Sequence, residues 1–359
     1  MPFTRILFEN AQHQPRPRHV TGRRERTMRH LRTRFGIVLV LLALAGVTAS
    51  GLPSPAAAPL IEVKSPLLTG ALGQFLIRYV TAKGIDRKHG VAIDDTKVFS
   101  SVTTYYQEFF QGNADLSLGT WDSYANRHLA GVPVQLVCTL TRSNIAMVIA
   151  SQASGIEKIA DLKGRTLAVP TGTGTYRMAD IFFREFYKLR FNEDIKILNV
   201  PNPSVGAQYV GIDRADAALG WEPAVSIAMY RAKNIRVLTT MEEIFKSNTG
   251  HSLYYFVVAM RSEKLKAHPG LGRKVATIFA EAASEITSNP DGALALAAKT
   301  IEVDKAAMVS GIQSGRLSFE VRPADDPVVA RDMRYQLDFM TKHGVFQAHV
   351  PDTYLYNFQ

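Results

Sequence analysis

The segment NADLSLGTWDSYANRHLAGVPVQLV at residues 113–137 is echoed later in the chain by RADAALGWEPAVSIAMYRAKNIRVL at residues 214–238. Four positions correspond: Asp115 with Asp216, Gly119 with Gly220, Trp121 with Trp221, and Asp122 with Glu222. Each copy follows a predicted strand, a loop rich in Pro, Ser or Thr, and a short helix. The repeat predicts two α/β lobes of the same topology, with a chance similarity as the alternative.

The chain around the repeat alternates between predicted strands and predicted helices. After about residue 60, short β-branched runs alternate with amphipathic stretches, which is typical of layered α/β proteins. Strands are predicted at residues 60–65, 91–99, 114–119, 132–140, 145–150, 165–170, 194–200, 215–220, 235–240 and 253–260. Helices are predicted at residues 71–83, 103–110, 122–130 and 176–189. From residue 269 onward, the sequence predicts mainly helix.

The two tryptophans of the chain each end a predicted strand. In open α/β sheets, ligands bind beyond the carboxyl ends of the strands. Trp121 and Trp221 occupy this position, and each is followed by an acid, Asp122 or Glu222, that begins a helix. If the lobes face each other, the two indoles line opposite walls of one cleft. The alternative is that both indoles pack in cores and both acids serve as helix N-terminal charges, with Pro223 in a first turn.

A Gly/Thr loop at residues 171–175 joins a predicted strand to the helix at 176–189. Its glycines let the backbone turn tightly and expose N–H groups at the helix N-terminus, which attracts an anionic group. The loop is neither a P-loop nor a dinucleotide fingerprint, because no Lys and no third Gly follow. The candidate contacts are Thr171, Gly172, Thr173, Gly174 and Thr175. The alternative is an ordinary turn with Thr175 as N-cap.

Charge and composition exclude several functional classes. The chain has 359 residues and a formal net charge of +10, but residues 1–58 hold nine Arg and two Glu, so the remainder is nearly neutral. The basicity therefore belongs to a leader and does not indicate nucleic-acid binding. The single Cys138 excludes an intramolecular disulfide and a Cys-rich metal site. No nucleophile elbow and no metal-ligand spacing is present, so we expect no catalytic residues, metal or cofactor.

Residues 1–58 are predicted to be an export leader. A cationic stretch from Met28 precedes an apolar run at 35–47, which is too short for a membrane span. Met28 is a plausible start, and cleavage is expected after Ala49 or Ala56; an uncleaved anchor is the alternative. This region has no Cys for lipid attachment. We therefore expect a periplasmic protein.

Residues 60–300 resemble the ABC-transporter solute-binding proteins of the nitrate/sulfonate/taurine class, the NMT1/THI5-like group. Six segments carry the resemblance: AKGIDRKHGVAI, YYQEFFQGNADLSLG, LAGVPVQLV, IEKIADLKGRTLAVPTGTGT, GIDRADAALGWEP and HPGLGRKVATIFAEAASEITSNPDGAL. The resemblance implies an α/β periplasmic binding protein type II fold, with two doubly wound lobes joined by crossings near 142–147 and 251–255. It implies one lobe from residues 59–143 plus 251–359 and a second from residues 144–250.

The resemblance also implies where a ligand is held. The implied contacts lie in the loop around Thr69, in the loop from Thr120 through Trp121 and Asp122, in the Gly/Thr loop through Tyr176, and at Trp221 and Glu222. No Arg occupies these loop positions to clamp a sulfonate in bidentate fashion. Two acids beside aromatic rings favour an amine, a zwitterion or a planar heterocycle.

The predicted function is capture of a small organic solute by closure of the lobes, followed by delivery to an ABC permease in the inner membrane. The solute would be sulfonate-, amine- or pyrimidine-like, and we expect a monomer that binds no nucleic acid. One alternative is an enzyme of the pyrimidine-synthase-like branch, which would need clustered His and Cys residues. Another is a ligand-sensing module of an exported receptor system.

Overall fold

Strands and helices alternate along residues 59–299 and 304–358, which are the residues that the computed structural model describes. The predictions for the leader at 1–58 lie outside the described residues. The strands are β1 Ile61–Lys64, β2 Leu67–Leu68, β3 Val91–Asp94, β4 Val98–Phe99, β5 Leu116–Thr120, β6 Val134–Thr139, β7 Ala146–Ser151, β8 Thr166–Val169, β9 Lys196–Asn199, β10 Ala217–Trp221, β11 Ile235–Thr240 and β12 Phe256–Arg261. The helices are α1 Leu72–Lys83, α2 Ile85–Lys88, α3 Val102–Phe110, α4 Trp121–Leu129, α5 Gly174–Tyr187, α6 Pro203–Gly211, α7 Ala224–Arg231, α8 Met241–Thr249, α9 Ser262–Ala267, α10 Leu271–Ser288, α11 Pro290–Ala297, α12 Lys305–Gln313 and α13 Pro327–Lys342. In this part of the chain, no helix combines the length and apolar character needed to cross a bilayer.

The strands fall into two groups, which we call the first and second lobes. The first lobe holds the three-stranded sheet β5-β12-β6 and the parallel pairs β1-β3 and β2-β4. The second lobe holds one five-stranded sheet in the order β11-β7-β10-β8-β9. The α/β architecture predicted from the alternating sequence pattern is confirmed.

The sequence repeat is also a structural repeat. The first copy forms the unit β5-α4-β6, and the second forms β10-α7-β11. In the first lobe, β12 lies between β5 and β6 and is antiparallel to both. In the second lobe, β7 lies between β10 and β11 in the same way. Both copies therefore build the same three-strand arrangement with a helix on it.

Asp115 and Asp216 have equivalent roles in the two copies. The Asp115 carboxylate accepts a hydrogen bond from the backbone N–H of Lys64 at 2.9 Å. The Asp216 carboxylate accepts one from the backbone N–H of Thr166 at 2.8 Å. Each acid therefore ties the start of its strand to a neighbouring strand, and its repetition in the sequence has a structural cause.

The chain crosses between the lobes twice. It enters the second lobe between β6 and β7 and returns between α8 and β12. The two crossings pair with each other: Ser143 N–H donates to the Leu253 carbonyl at 2.7 Å, and Tyr255 N–H donates to the Thr141 carbonyl at 2.9 Å. The hinge is thus a short antiparallel pair of segments.

The C-terminal helices α12 and α13 pack on helices of the second lobe. α12 packs on α7 of the second lobe, where Gly311 lies so close to Ser226 that an added Cβ would be 2.5 Å from its hydroxyl. The Phe339 ring of α13 lies 6.0 Å from Phe182 and 5.4 Å from Phe245, measured between centroids. The assignment of 251–359 to the first lobe and of 144–250 to the second remains a proposal.

One predicted strand is divided in two. The expected strand at 91–99 forms β3 and β4, because the chain turns after Asp94. The Asp94 carboxylate accepts hydrogen bonds from the backbone N–H of Thr96 at 3.1 Å and from its hydroxyl at 2.7 Å. A carboxylate that bonds the backbone two residues on favours a turn over a continued strand.

Candidate ligand-binding cavity

A cavity of about 600 Å³ lies between the two lobes. The first lobe contributes the turn from β2 into α1, one face of α3, and the start of α4. The second lobe contributes the Gly/Thr loop with the first turn of α5, and the end of β10. Tyr255 and Phe256, which follow the second crossing, also line it. A ligand in this cavity would touch both lobes and the hinge.

The Gly/Thr loop enters the cavity as predicted from its position after a strand. Gly172, Thr173, Gly174 and Thr175 all line it. Thr173 is the N-cap of α5, because its hydroxyl accepts from the Tyr176 N–H at 3.2 Å and donates to a backbone carbonyl. The alternative expectation that Thr175 caps this helix is therefore wrong. Thr175 is buried, and its hydroxyl is hydrogen-bonded to the Tyr255 hydroxyl across the lobes.

A carboxylate of the protein lies beside the N-terminus of α5. Asp122, which is 2% exposed, reaches across from the first lobe, and its Oδ2 accepts from the Arg177 guanidinium at 3.0 Å. A Cβ added at Gly174 would lie 2.6 Å from the same oxygen. Only glycine allows this close approach. Asp122 is absent from the residues that line the cavity, so it lies behind the cavity wall as a contact between the lobes.

Trp121 does not line the cavity, and the expectation of two facing indoles is wrong. Its side chain is fully buried, with its ring edge-to-face on Phe346 at 5.8 Å. The Tyr354 hydroxyl donates to its carbonyl at 2.8 Å. The C-terminal segment therefore covers this indole, which a reading of the repeat alone does not anticipate.

Trp221 and Glu222 do line the cavity. Trp221 is partly exposed, whereas Glu222 is 1% exposed. The Glu222 carboxylate accepts from the Ser226 N–H at 3.1 Å and from its hydroxyl at 2.9 Å, and the Arg316 guanidinium lies 3.6 Å away. Burial raises the pKa of Glu222, and its Ser226 and Arg316 partners oppose this shift.

Of the four remaining predicted contacts, one lines the cavity and three do not. Thr120 lines the cavity, and its hydroxyl is 3.0 Å from that of Ser123. Thr69 is exposed and is not part of the lining, although its neighbours Leu68 and Gly70 are. Thr171 is also outside the lining, since its hydroxyl and N–H both bond the Asn199 side chain. Tyr176 is outside it as well and packs on Phe191 at 5.3 Å between ring centroids.

The structure adds residues that the sequence reasoning missed. Tyr106, Phe110, Arg127, Arg177 and Tyr255 all line the cavity. The predicted contact loops contain no Arg, but Arg127 and Arg177 reach the cavity from the helices α4 and α5. A signal for one of them existed: Thr120, Ser123 and Arg127 have the spacing of a single helical face.

Metal binding finds no support within residues 59–299 and 304–358. No group of three or more His, Cys, Asp or Glu side chains in these ranges is arranged to hold an ion. The polar side chains that line the cavity are hydroxyls, carboxamides, guanidinium groups and one buried carboxylate. Such a set can hold an organic molecule by hydrogen bonds, charge and ring stacking.

Sequence comparison identifies the family of the chain. The family described as NMT1/THI5 like matches residues 82–293. A protein of Brucella abortus (strain 2308) that is named as a binding protein is 24% identical over 270 residues, which is 74% of this chain and 79% of the relative.

Solved structures are similar to this chain over most of its length. The periplasmic aliphatic sulphonate binding protein SsuA from Escherichia coli has a TM-score of 0.66 at 17% identity, covering 82% of this chain and 92% of that one. The alkanesulfonate-binding protein SsuA from Xanthomonas axonopodis pv. citri, bound to MOPS, has a TM-score of 0.63 at 15% identity, covering 82% and 97%. A Candida albicans protein described as having the generic periplasmic binding protein fold has a TM-score of 0.54 at 15% identity, covering 83% and 98%. The predicted two-lobed periplasmic binding protein fold is confirmed.

Proposed function

We propose that this chain, which belongs to the NMT1/THI5-like family, is the periplasmic substrate-binding component of an ABC importer. The observation that carries the proposal is the cavity of about 600 Å³ between the lobes, with walls from both lobes and from the hinge. The fold and the SsuA proteins it resembles, which are named as sulphonate-binding, support the same function. The proposed contacts are Thr120, Gly172, Thr173, Gly174, Thr175, Trp221 and Glu222.

Closure of the lobes is the proposed mechanism. A ligand that touches both walls binds the closed form more tightly than the open form, and this differential affinity shifts the population toward closure. Two interlobe contacts lie beside the cavity, the Thr175–Tyr255 hydroxyl pair and the Asp122–Arg177 ion pair. They would guide the lobes into register when the gap closes.

The proposed partners follow from this role. The loaded, closed protein would deliver a small organic solute to an ABC permease in the inner membrane. The leader at residues 1–58 would direct export to the periplasm, with processing near Ala49 or Ala56. The chain would act as a monomer and would bind its ligand without converting it.

A binding screen with a readout of closure tests this function. The purified protein is screened by thermal shift against amines, amino acids, pyrimidines, sulfonates and aromatic acids, because a ligand specific for the native state raises the melting temperature in a concentration-dependent way. Small-angle scattering then measures compaction with each hit. If no hit lowers the radius of gyration, or if a hit is turned over chemically, the proposal is contradicted.

A matched pair of aromatic variants locates the binding. Trp221→Ala removes an indole from the cavity wall and should abolish or strongly weaken the thermal shift. Tyr230→Ala removes an exposed ring that lies outside the cavity and should leave the shift unchanged. Equal binding by both variants would place the ligand elsewhere.

A further inference from the structure

The charged side chains at the cavity form two matched pairs and one unmatched cation. Arg177 is 3.0 Å from Asp122, and Arg316 is 3.6 Å from Glu222. Arg127 also lines the cavity, and no carboxylate of the described residues lies within ion-pair distance of it. Since the two pairs cancel, the residues at the cavity carry one positive charge that no carboxylate of the described residues compensates.

Arg127 lies on an aromatic wall. Its guanidinium carbon is 5.2 Å from the centroid of the Phe110 ring. Phe110 in turn stacks on Tyr106, with a centroid distance of 5.6 Å and an interplanar angle of 8°. A planar guanidinium placed over a ring keeps N–H donors available at its edge. The cation and both aromatic residues therefore line the same part of the cavity.

A ligand anion at the N-terminus of α5 would lie beside a carboxylate of the protein. The Asp122 carboxylate already lies against Gly174, and its Oδ1 is buried without a hydrogen-bond partner among the described residues. A ligand anion at this helix end would meet that negative charge in a buried setting. The cation that remains for a ligand is Arg127, on the opposite lobe.

The size and character of the cavity set the rest of the ligand. A volume of about 600 Å³ lies within the range of sites for drug-sized organic molecules and exceeds what a small inorganic anion fills. Much of the remaining wall is apolar, formed by Leu68, Leu72, Leu118, Leu140 and Phe256. Such a wall gains free energy by covering an apolar body.

We infer that the ligand is an organic monoanion with a planar aromatic body, and that Arg127 binds its charged group while the Tyr106 and Phe110 wall packs against the ring. This inference rests on the proposed function and narrows its substrate class. It replaces the amine or zwitterion expected from the sequence, because the structure neutralises both acids of that expectation.

Matched probes test the charge and the ring separately. Calorimetric titration of the purified protein would use benzoate and 2-naphthoate, their uncharged amides, 2-naphthalenesulfonate, and methanesulfonate as an anion without a ring. We expect an aromatic anion to bind at least about tenfold more tightly than its amide, as a charged hydrogen bond provides. Methanesulfonate should bind more weakly than either naphthalene anion. The two naphthalene anions distinguish a carboxylate from a sulfonate ligand.

Variants of the cation assign the charge to one residue. Arg127→Gln should lower the affinity for the aromatic anion about tenfold or more and leave amide binding unchanged. Arg127→Lys, which keeps the charge, should retain part of the affinity. Arg184→Gln is the control, because Arg184 is on α5 outside the cavity lining. Circular dichroism checks that each variant is folded.

The outcomes separate this inference from the proposed function. Amides that bind as tightly as their anions, or an Arg127→Gln variant with unchanged anion affinity, would overturn the inference. Binding and compaction with a polyamine, together with no binding of any aromatic anion, would also overturn it while leaving the importer function intact. Absence of compaction with every hit of the wider screen would instead remove the proposed function itself.

Discussion

The repeat contains two Trp–acid pairs, Trp121–Asp122 and Trp221–Glu222, which we call its first and second corners. They occupy equivalent positions in the repeat but lie in different environments. Trp121 is fully buried under the C-terminal segment, whereas Trp221 is partly exposed on the cavity wall. Asp122 crosses to the other lobe and pairs with Arg177, whereas Glu222 bonds Ser226 four residues along its own chain. The same local sequence therefore builds an interlobe contact in one copy and a cavity wall in the other.

The difference arises from what packs on each copy. Phe346 and Tyr354 come from the end of the chain and lie on the first corner. At the second corner, Arg316 comes from the segment after α12 and approaches the acid, leaving the indole at the cavity. A repeat in the sequence thus predicts equivalent backbones but not equivalent roles for the side chains.

Truncation of the two indoles should give the largest contrast. Trp121→Ala removes a fully buried ring and should lower the free energy of unfolding by about 3–5 kcal/mol. Trp221→Ala should cost less stability, because its ring is partly exposed, and should act mainly on ligand binding. Urea unfolding with a ligand titration measures both effects. A stable Trp121→Ala protein that has lost binding would reverse the assignment of the two corners.

The paired glycines before the two corners provide the next contrast. A Cβ at Gly119 would lie 2.3 Å from the Tyr106 hydroxyl and 2.7 Å from that of Tyr124, whereas one at Gly220 would lie 3.0 Å from a Val225 methyl. Gly119→Ala should therefore destabilise the protein by about 1–3 kcal/mol, and Gly220→Ala by less. Thermal unfolding of both variants measures the difference. Equal costs would mean that the copies are packed alike.

The interlobe contact at Asp122 can be tested through the two glycines of the loop. Gly174→Ala places a methyl 2.6 Å from the Asp122 carboxylate, whereas Gly172→Ala meets no atom within 4 Å. We expect Gly174→Ala to separate the lobes slightly, to lower stability by about 1–2 kcal/mol, and to weaken ligand binding. Scattering and unfolding of the two variants measure this. If Gly172→Ala is the more damaging variant, the contact lacks the proposed importance.

Ionisation of Glu222 should have the smallest of these effects on the stability of the protein. Because burial raises the pKa of Glu222 above its ordinary 4.5, folding favours the protonated carboxyl. This contribution to stability is fully present below pH 4.5 and is lost as the pH rises through the raised value. Glu222→Gln cannot ionise, so its stability should fall less than that of the native protein over this interval. The melting temperatures of the two proteins are measured between pH 4 and pH 7. Parallel curves of melting temperature against pH would contradict the raised pKa of Glu222.

The elements themselves could be predicted from local sequence, and the site only in part. Strand ends, glycine turns and helix starts depend on neighbours along the chain, and residues 172–175 and Trp221 line the cavity, whereas Thr171 of the same loop does not. That these residues bind a ligand stays a prediction. Arg127 and Arg177 were missed because they lie on helix faces, where the sequence does not tell which face another lobe will cover. Tyr255 was missed because its position depends on the pairing of the two crossings.

The sequence by itself determined the α/β layers and the repeated strand–helix–strand unit, because hydrophobic period and turn chemistry act over short distances along the chain. The tertiary structure decided which tryptophan faces the cavity, which acid is paired across the lobes, and which arginine of the cavity lining has no carboxylate partner among the described residues. These outcomes depend on contacts between residues far apart in the chain, such as Tyr354 with Trp121 and Arg316 with Glu222. Packing of distant segments, and not local propensity, sets the burial and the charge of each group.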